Sequence, residues 1–262
     1  MALIALTTDF GTDDPFVGIM KGVLATRAPG VPVVDVTHGV PPQAVLAGAL
    51  VLRHAAPWFP PGTVHAVIVD PGVGTARRAL CVETPRACFV GPDNGVLSLA
   101  VTAADVRRIV QLENEAYFLS PRSPTFHGRD VFAPVAAALA TGTAPAALGP
   151  EVADMQRLTE PPWVREGDRV RGEIVYVDHF GNLFTSIPAS ALDTFSGRPL
   201  SITLGGARVP LAGTYAAAAP GEAVAVVNSW GLVEIAVRDG SARAVLHGAP
   251  GDPVLLAPAE SA

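Results

Sequence analysis

Val64-His65-Ala66-Val67-Ile68-Val69-Asp70-Pro71-Gly72-Val73-Gly74-Thr75-Ala76-Arg77-Arg78 decides the fold. The run from Val64 to Val69 is β-branched and almost uniformly apolar, the pattern of a strand covered on both faces of a parallel sheet. Asp70 then stands at the strand's carboxyl end, where open α/β sheets bind their ligands. Pro71, Gly72 and Gly74 turn the chain sharply. Arg77, brought back over that turn, would hold Asp70 ionised by lowering its pKa. The alternative is that Asp70 closes a turn and Arg77 lies in solvent; loop chemistry alone leaves the two readings even.

Working outward, residues 1 to about 150 alternate strand-like and helix-like stretches, which predicts an α/β domain, a Rossmann-like sheet with helices on both faces. Leu3 to Thr8, Val33 to Val36, Val64 to Val69, Leu80 to Glu83 and Cys88 to Val90 read as strands, while Phe16 to Arg27 and Ala44 to Ala56 have helical apolar spacing. Two further helices are expected at Asn94 to Thr102 and Val131 to Ala140. Asp93-Asn94 and Asp130 would cap them, and Asp13 or Asp14 would cap the Phe16 helix. Prolines 145, 150, 161 and 162 then break any long element, so 151–167 reads as a linker. From 168 to 262 the signals are short and strand-like: Val170 to Val177, Leu183 to Ile187, Leu200 to Leu204, Ala223 to Val227 and Leu232 to Val237. Gly and Pro turns separate them, which predicts a small all-β, barrel-like domain.

Bulk composition excludes several classes. The 262 residues are 49% hydrophobic, yet no window approaches the length of uninterrupted apolar sequence that a membrane span needs. Acidic residues outnumber basic ones, 24 to 18, for a formal net charge of −6, and basic residues cluster only in pairs such as Arg107-Arg108. Nucleic acid is therefore not an expected partner. Met1 leads straight into Leu3-Ile4-Ala5-Leu6 without the charged start and cleavage site of a signal peptide, so the expected location is cytoplasmic. Cys81 and Cys88 are expected to be reduced, buried small hydrophobes.

Other residues stand where chemistry is done. Asp9 ends the first strand as Asp70 ends the third, and a carboxylate so placed can accept both hydroxyls of a ribose. Its loop lacks GxGxxG and GxxxxGK[ST], which favours a nucleoside ligand over a nucleotide. His127, beside Gly128, has room for a small reactant to approach, although a loop histidine is more often structural. Asp178-His179-Phe180-Gly181-Asn182 and Asn228-Ser229-Trp230-Gly231 are tight turns: either plain hairpins or, taken together, groups suited to reading a purine edge. No HExxH or comparable spacing is present, so no metal site is expected.

Taken in order, Thr8-Asp9-Phe10-Gly11, Asp35-Val36-Thr37-His38, Val69 through Thr75, Gly91-Pro92-Asp93-Asn94-Gly95, Phe126-His127-Gly128-Arg129-Asp130, Asp178 through Asn182 and Asn228-Ser229 resemble the S-adenosylmethionine hydroxide adenosyltransferases, relatives of the fluorinase and chlorinase. The resemblance spans nearly the whole chain. It implies hydrolysis of S-adenosylmethionine to adenosine and L-methionine, with S-adenosylmethionine as substrate and no cofactor. It also implies a homotrimer whose ligand sits between one subunit's N-terminal domain and its neighbour's C-terminal domain. By residue, it implies that Asp70, Arg77 and His127 handle the water and that Asp9 binds the ribose hydroxyls. Asp178 and Asn182 would lie near the methionine or nucleoside moiety, and Ser229 near the adenine. Gln43 stands where relatives often carry an aromatic lid, and Trp230 where relatives vary.

The chemistry agrees with that set. A sulfonium makes methionine a good leaving group, so attack at the ribose C5′ needs an aligned nucleophile more than an acid. A halide arrives anionic, whereas water must be oriented and relieved of a proton. Halogenating relatives carry an aromatic residue in place of Asp70, so halogenation is the second reading and a non-catalytic adenosine-binding protein the third.

Overall fold

The computed structural model describes residues 2–259, which divide into two compact units on either side of the Leu158–Thr159 bond. In the first unit the strands are β1 (Leu3–Thr8), β2 (Val33–Thr37), β3 (Thr63–Ile68), β4 (Ala79–Glu83), β5 (Ala87–Pro92) and β6 (Arg108–Gln111). They form one sheet in the order β2-β1-β3-β5-β4-β6. β1 runs parallel to β2 and β3, and β3 parallel to β5, whereas β4 is antiparallel to both β5 and β6. The strand order reverses between β2 and β3, on either side of β1. The carboxyl ends of β1 and β3, from which Asp9 and Asp70 follow, flank that switch point.

β3 is buried along its whole length, which is why it reads as an almost uniformly apolar run. Its Val64, Ala66 and Ile68 join Ile4 and Leu6 of β1 in one core. Helix α1 (Phe16–Arg27) adds Met20 and Leu24, one helical turn apart, and α3 (Ala133–Ala140) adds Val135 and Ala136. Each fully buried Leu or Ile here contributes roughly 1.5–3 kcal/mol. Helix α2 (Val45–Ala55) comes so close to the end of β3 that a Cβ on Gly48 would stand 2.9 Å from Val69 Cγ2.

Several expectations are corrected. No helix forms over Asn94–Thr102, which is a succession of turns. Asn94 Oδ1 accepts from Val96 N, Asn94 Nδ2 donates to Val69 O, and Ser98 Oγ donates to Gly95 O. Such local side-chain bonds compete with a helix. Asp93 therefore caps nothing; it is buried and accepts from Arg78 Nε at 2.7 Å and Gln156 N at 2.6 Å. Asp130 does not cap a helix either. The helical segment starts earlier, as a π turn over Gly128–Phe132, and Asp130 lies inside it, accepting from Ser123 N and the Arg129 guanidinium. α1 begins after Pro15 with no side-chain cap, so Asp13 and Asp14 serve no such role. β6, only four residues long, was not expected.

The second unit holds β7 (Val164–Glu166), β8 (Arg169–Val177), β9 (Leu183–Pro188), β10 (Leu200–Leu204), β11 (Ala207–Pro210), β12 (Ala223–Val227), β13 (Leu232–Val237) and β14 (Pro253–Pro258). They form an antiparallel sheet in the order β11-β10-β14-β8-β9-β13-β12, with β7 added to β8. A parallel bridge from Leu211 to Ala225 brings its two ends together, so the sheet nearly closes into a barrel. Ile174, Leu183, Ile187, Phe195, Leu200 and Ile202 fill its core. The unit is not made of strands alone: Ser241 caps a short helix, α4 (Ala242–Leu246), and Ala189–Phe195 is a 3₁₀ helix. β14 went unnoticed because prolines stand at both of its ends.

Both cysteines are free, Cys81 buried and Cys88 only half-buried. Among the described residues, no helix is long and apolar enough to cross a membrane.

One polar residue interrupts the β3 core. His65 is 1% exposed, and burial lowers its pKa to about 4. It is therefore neutral when folded but ionisable when unfolded, and stability present above pH 6.5 is lost as pH falls toward 4. That loss should reach about 3 kcal/mol in urea titrations. In His65→Phe the component should vanish, leaving a flatter acid limb.

Candidate active site

Asp70 and Arg77 meet because of the direction of β4. A parallel strand after β3 would start at the far end of the sheet. β4 is antiparallel, with Ala79 paired to Pro92, so it starts at the end where β3 stops. The connection from Asp70 to Arg78 thus stays at the carboxyl ends and folds over on itself. Gly74 lets this loop touch its neighbour. Its φ is +77°, and a Cβ there would stand 2.4 Å from the Pro124 carbonyl oxygen, in the segment leading to His127.

The result is a chain of three charged or polar groups. Arg77 Nε donates to Asp70 Oδ1 at 2.9 Å and Oδ2 at 3.0 Å, and Nη2 donates to Oδ2. The two side chains are 9% and 5% exposed, so this is a buried, fork-like pair. Nη2 also lies 2.9 Å from His127 Nδ1. A guanidinium only donates, so Nδ1 must accept and the imidazole proton sits on Nε2. Burial lowers the His127 pKa, and the neighbouring Arg77 charge lowers it further, so the ring is neutral at pH 7.

Asp9 and Asp70 share a cleft of about 380 Å³, lined also by Phe10, Phe16, Pro42, Gln43 and Val73. Burial raises the Asp9 pKa, opposed by a 2.8 Å bond from Gln43 N to Oδ2, and the Asp70 charge adds to the rise. Gln43 makes that bond from a left-handed backbone, φ 64°. Phe10, Phe16 and Phe126 form an edge-to-face cluster beside it. Arg77 and His127 instead line a second cleft of about 190 Å³ with Arg122 and Phe118. The four residues are thus contiguous, with Asp70 and Arg77 as the wall between two openings.

A support the sequence reading did not assign lies behind Asp9. Buried His38 is 2.8 Å from Thr8 Oγ1 through Nδ1, and its Nε2 lies 3.0 Å from Asp35 Oδ1. Asp35 also takes Lys21. Burial would raise the Asp35 carboxyl, but the bonds from Lys21 and His38 outweigh it and bring its pKa down. His38 O accepts from Gly11 N at 2.9 Å, which fixes the loop carrying Asp9. Asp35 and His38 share a quoted motif, and that was the available signal.

In the second unit, the turn from Asp178 to Asn182 joins β8 to β9, and that from Asn228 to Gly231 joins β12 to β13. Both are hairpins, and both line one cavity of about 1010 Å³ that holds Asp178, Asn182, Asn228 and Ser229. Asp178 is committed to the turn, accepting from Asn182 N at 2.8 Å and Nδ2 at 3.0 Å. Two lining residues were missed. Glu234, 1% exposed, accepts from Tyr215 Oη at 2.8 Å and Asn228 Nδ2 at 3.1 Å. Burial raises its pKa, and burial together with Glu234 pushes Tyr215 up to about 12. A single charge inside the apolar strand Leu232–Val237 could have flagged it. Trp230 packs on Tyr176 and Phe184.

Residues 4–149 match the SAM hydroxide adenosyltransferase N-terminal domain, and residues 172–255 match its C-terminal domain. The chain belongs to the SAM hydroxide adenosyltransferase family. Within this adenosyltransferase family, it is 42% identical to an (R)-S-adenosyl-L-methionine hydrolase of Thermus thermophilus, over 98% of this chain and 100% of that protein. It is 44% identical to one of Salinispora tropica, over 95% of each. A crystal structure of an uncharacterized conserved protein from Thermotoga maritima superposes with a TM-score of 0.90 at 35% identity, covering 97% of this chain and 100% of that one.

The buried pair makes a clear prediction. Arg77→Met strands a buried carboxylate and should cost about 3–5 kcal/mol in urea unfolding, whereas the Asp70→Leu/Arg77→Met double variant should recover most of that loss.

Proposed function

We propose that the chain hydrolyses S-adenosyl-L-methionine to adenosine and L-methionine by one displacement at the ribose C5′. The observation that carries this reading is the Asp70–Arg77–His127 chain at the switch point of the sheet, next to Asp9. Water oxygen attacks C5′, the C5′–S bond breaks, and its electron pair goes to sulfur, leaving neutral methionine thioether. The proton lost by water needs an acceptor. Neutral His127 has its one free lone pair committed to Arg77, while Asp70 retains lone-pair capacity beyond the Arg77 fork. Asp70 is therefore the acceptor, with Arg77 fixing its carboxylate through the fork and His127 holding Arg77 in place from the neighbouring cleft. The sulfonium supplies its own leaving-group activation, so no cofactor enters.

Relatives are named for the (R) form of the substrate. L already fixes the α-carbon, so (R) denotes the sulfonium, and we extend that preference to this chain. Asp9 is assigned to the ribose hydroxyls. Asp178 and Asn182 are assigned to the methionine or nucleoside end, and Ser229 to the adenine. The first unit is read as Rossmann-like over 1–150, supported by the switch-point order and by Val69 approaching Gly48 of α2 while Ile68 shares a core with Met20 and Leu24 of α1. The second, 168–262, is read as barrel-like, with 151–167 joining them. A homotrimer with ligand held between unlike units of neighbouring copies explains why the acid–base groups and the amide-rich cavity occur in separate units.

Incubation with each sulfonium epimer in ¹⁸O-labelled water, with and without chloride or fluoride, tests the reaction. Label in the 5′-hydroxyl of adenosine is expected, faster from the (R) epimer; a 5′-halogenated nucleoside would instead make the chain a halogenase. Asp70→Asn should lower turnover at least about 100-fold while adenosine still binds. Turnover unchanged by that substitution would remove Asp70 from its role.

The shared site has its own check. Asp70→Asn and Ser229→Ala proteins, each weakly active, should regain activity when unfolded and refolded together, because about a quarter of inter-subunit sites would then be intact. No recovery in the mixed oligomer would place both residues in one subunit's site.

A further inference from the structure

At the opposite end of the sheet from Asp9 and Asp70 lies a cavity of about 290 Å³ that the reaction does not use. The entry to β3, the β4–β5 turn and the end of α2 enclose it, through Phe59, Pro60, Pro85, Arg86, Phe89 and Arg53. His65 forms part of its wall. The ring stacks on Phe89 at 5.1 Å and 11°, and meets the Phe59 ring edge-on at 5.2 Å. Its Nδ1 is fully buried with no hydrogen-bond partner among the described residues. A buried polar atom left so costs free energy unless something else completes it.

Four features define what would fit. The volume is at the small end of ligand sites and admits one ring with a small substituent. Aromatic and proline walls favour a flat ring. A neutral imidazole offers a single hydrogen bond to a ring heteroatom. At the mouth, the exposed Arg86 guanidinium has no side-chain partner among the described residues, and Arg53 adds a second positive charge. The one carboxylate there, Asp105, already accepts the Thr102 hydroxyl. A guanidinium in that position suits a planar carboxylate. We propose that this cavity is a second ligand site, which binds a monocyclic heteroaromatic carboxylate with its ring heteroatom at His65 and its carboxylate at Arg86.

Nicotinate is the probe. Long-range ¹H–¹⁵N spectra of the full-length protein resolve the histidine ring nitrogens, and His65→Phe identifies the His65 signals by their loss. Titration with nicotinate should shift those signals with a dissociation constant near about a millimolar. Benzoate, which lacks the ring nitrogen, and nicotinamide, which lacks the charge, should each bind at least about fivefold more weakly. Arg86→Ala, a surface change, should weaken nicotinate by at least about fivefold and leave hydrolytic turnover unchanged. A His65 signal that stays still under excess nicotinate overturns the proposal. So do equal affinities for the three probes, or binding indifferent to Arg86→Ala.

Discussion

A guanidinium nearly out of water, gripped by a carboxylate on one side and an imidazole on the other, organises the candidate site. Two charges taken from water cost more than they return unless their geometry is good and their remaining hydrogen-bonding capacity is used. Here the Arg77 fork covers both oxygens of Asp70, and the same Nη2 reaches His127. Burial, reinforced by the Arg77 charge, keeps the imidazole neutral, and donation into Nδ1 selects its tautomer. One side chain thus holds the carboxylate in place and sets the proton position of the imidazole, from within a nine-residue loop.

Much of this was legible in the residues. The apolar run of β3, ending in a carboxylate and a Pro-Gly turn, located the switch-point strand, and Arg77 was the cation within reach. α1 was found because Val17, Met20 and Leu24 repeat at helical spacing. In the second unit, β10 was legible from its apolar–polar alternation, and β12 and β13 as short, mostly apolar runs bounded by clear turns.

The misses have a common physical origin. Asp93, Asn94 and Asp130 are residue types that start helices, and local sequence offers no sign that tertiary partners will claim them. Arg78 and the backbone of Gln156 claim Asp93, the end of β3 claims Asn94, and Ser123 with Arg129 claims Asp130. Glu234 left a signal, a lone charge in an apolar strand, but its role depends on its partners, Tyr215 and Asn228. Remote partners decided the roles of Asp93 and Asn94, whereas Asp130 was claimed by near neighbours that no capping pattern announces.

The antiparallel course of β4 carries one more consequence. Because β3 leaves and β4 returns at the same end of the sheet, Asp70 through Arg78 is a closed excursion whose two ends are pinned by strands with their own core contacts. Asp70 and Arg77 therefore ride on a segment held at both ends by the sheet, while Asp9 and His127 reach the site from other loops. Such an arrangement is modular in its geometry: the loop is free to vary between two fixed ends while the sheet beneath keeps its strand order.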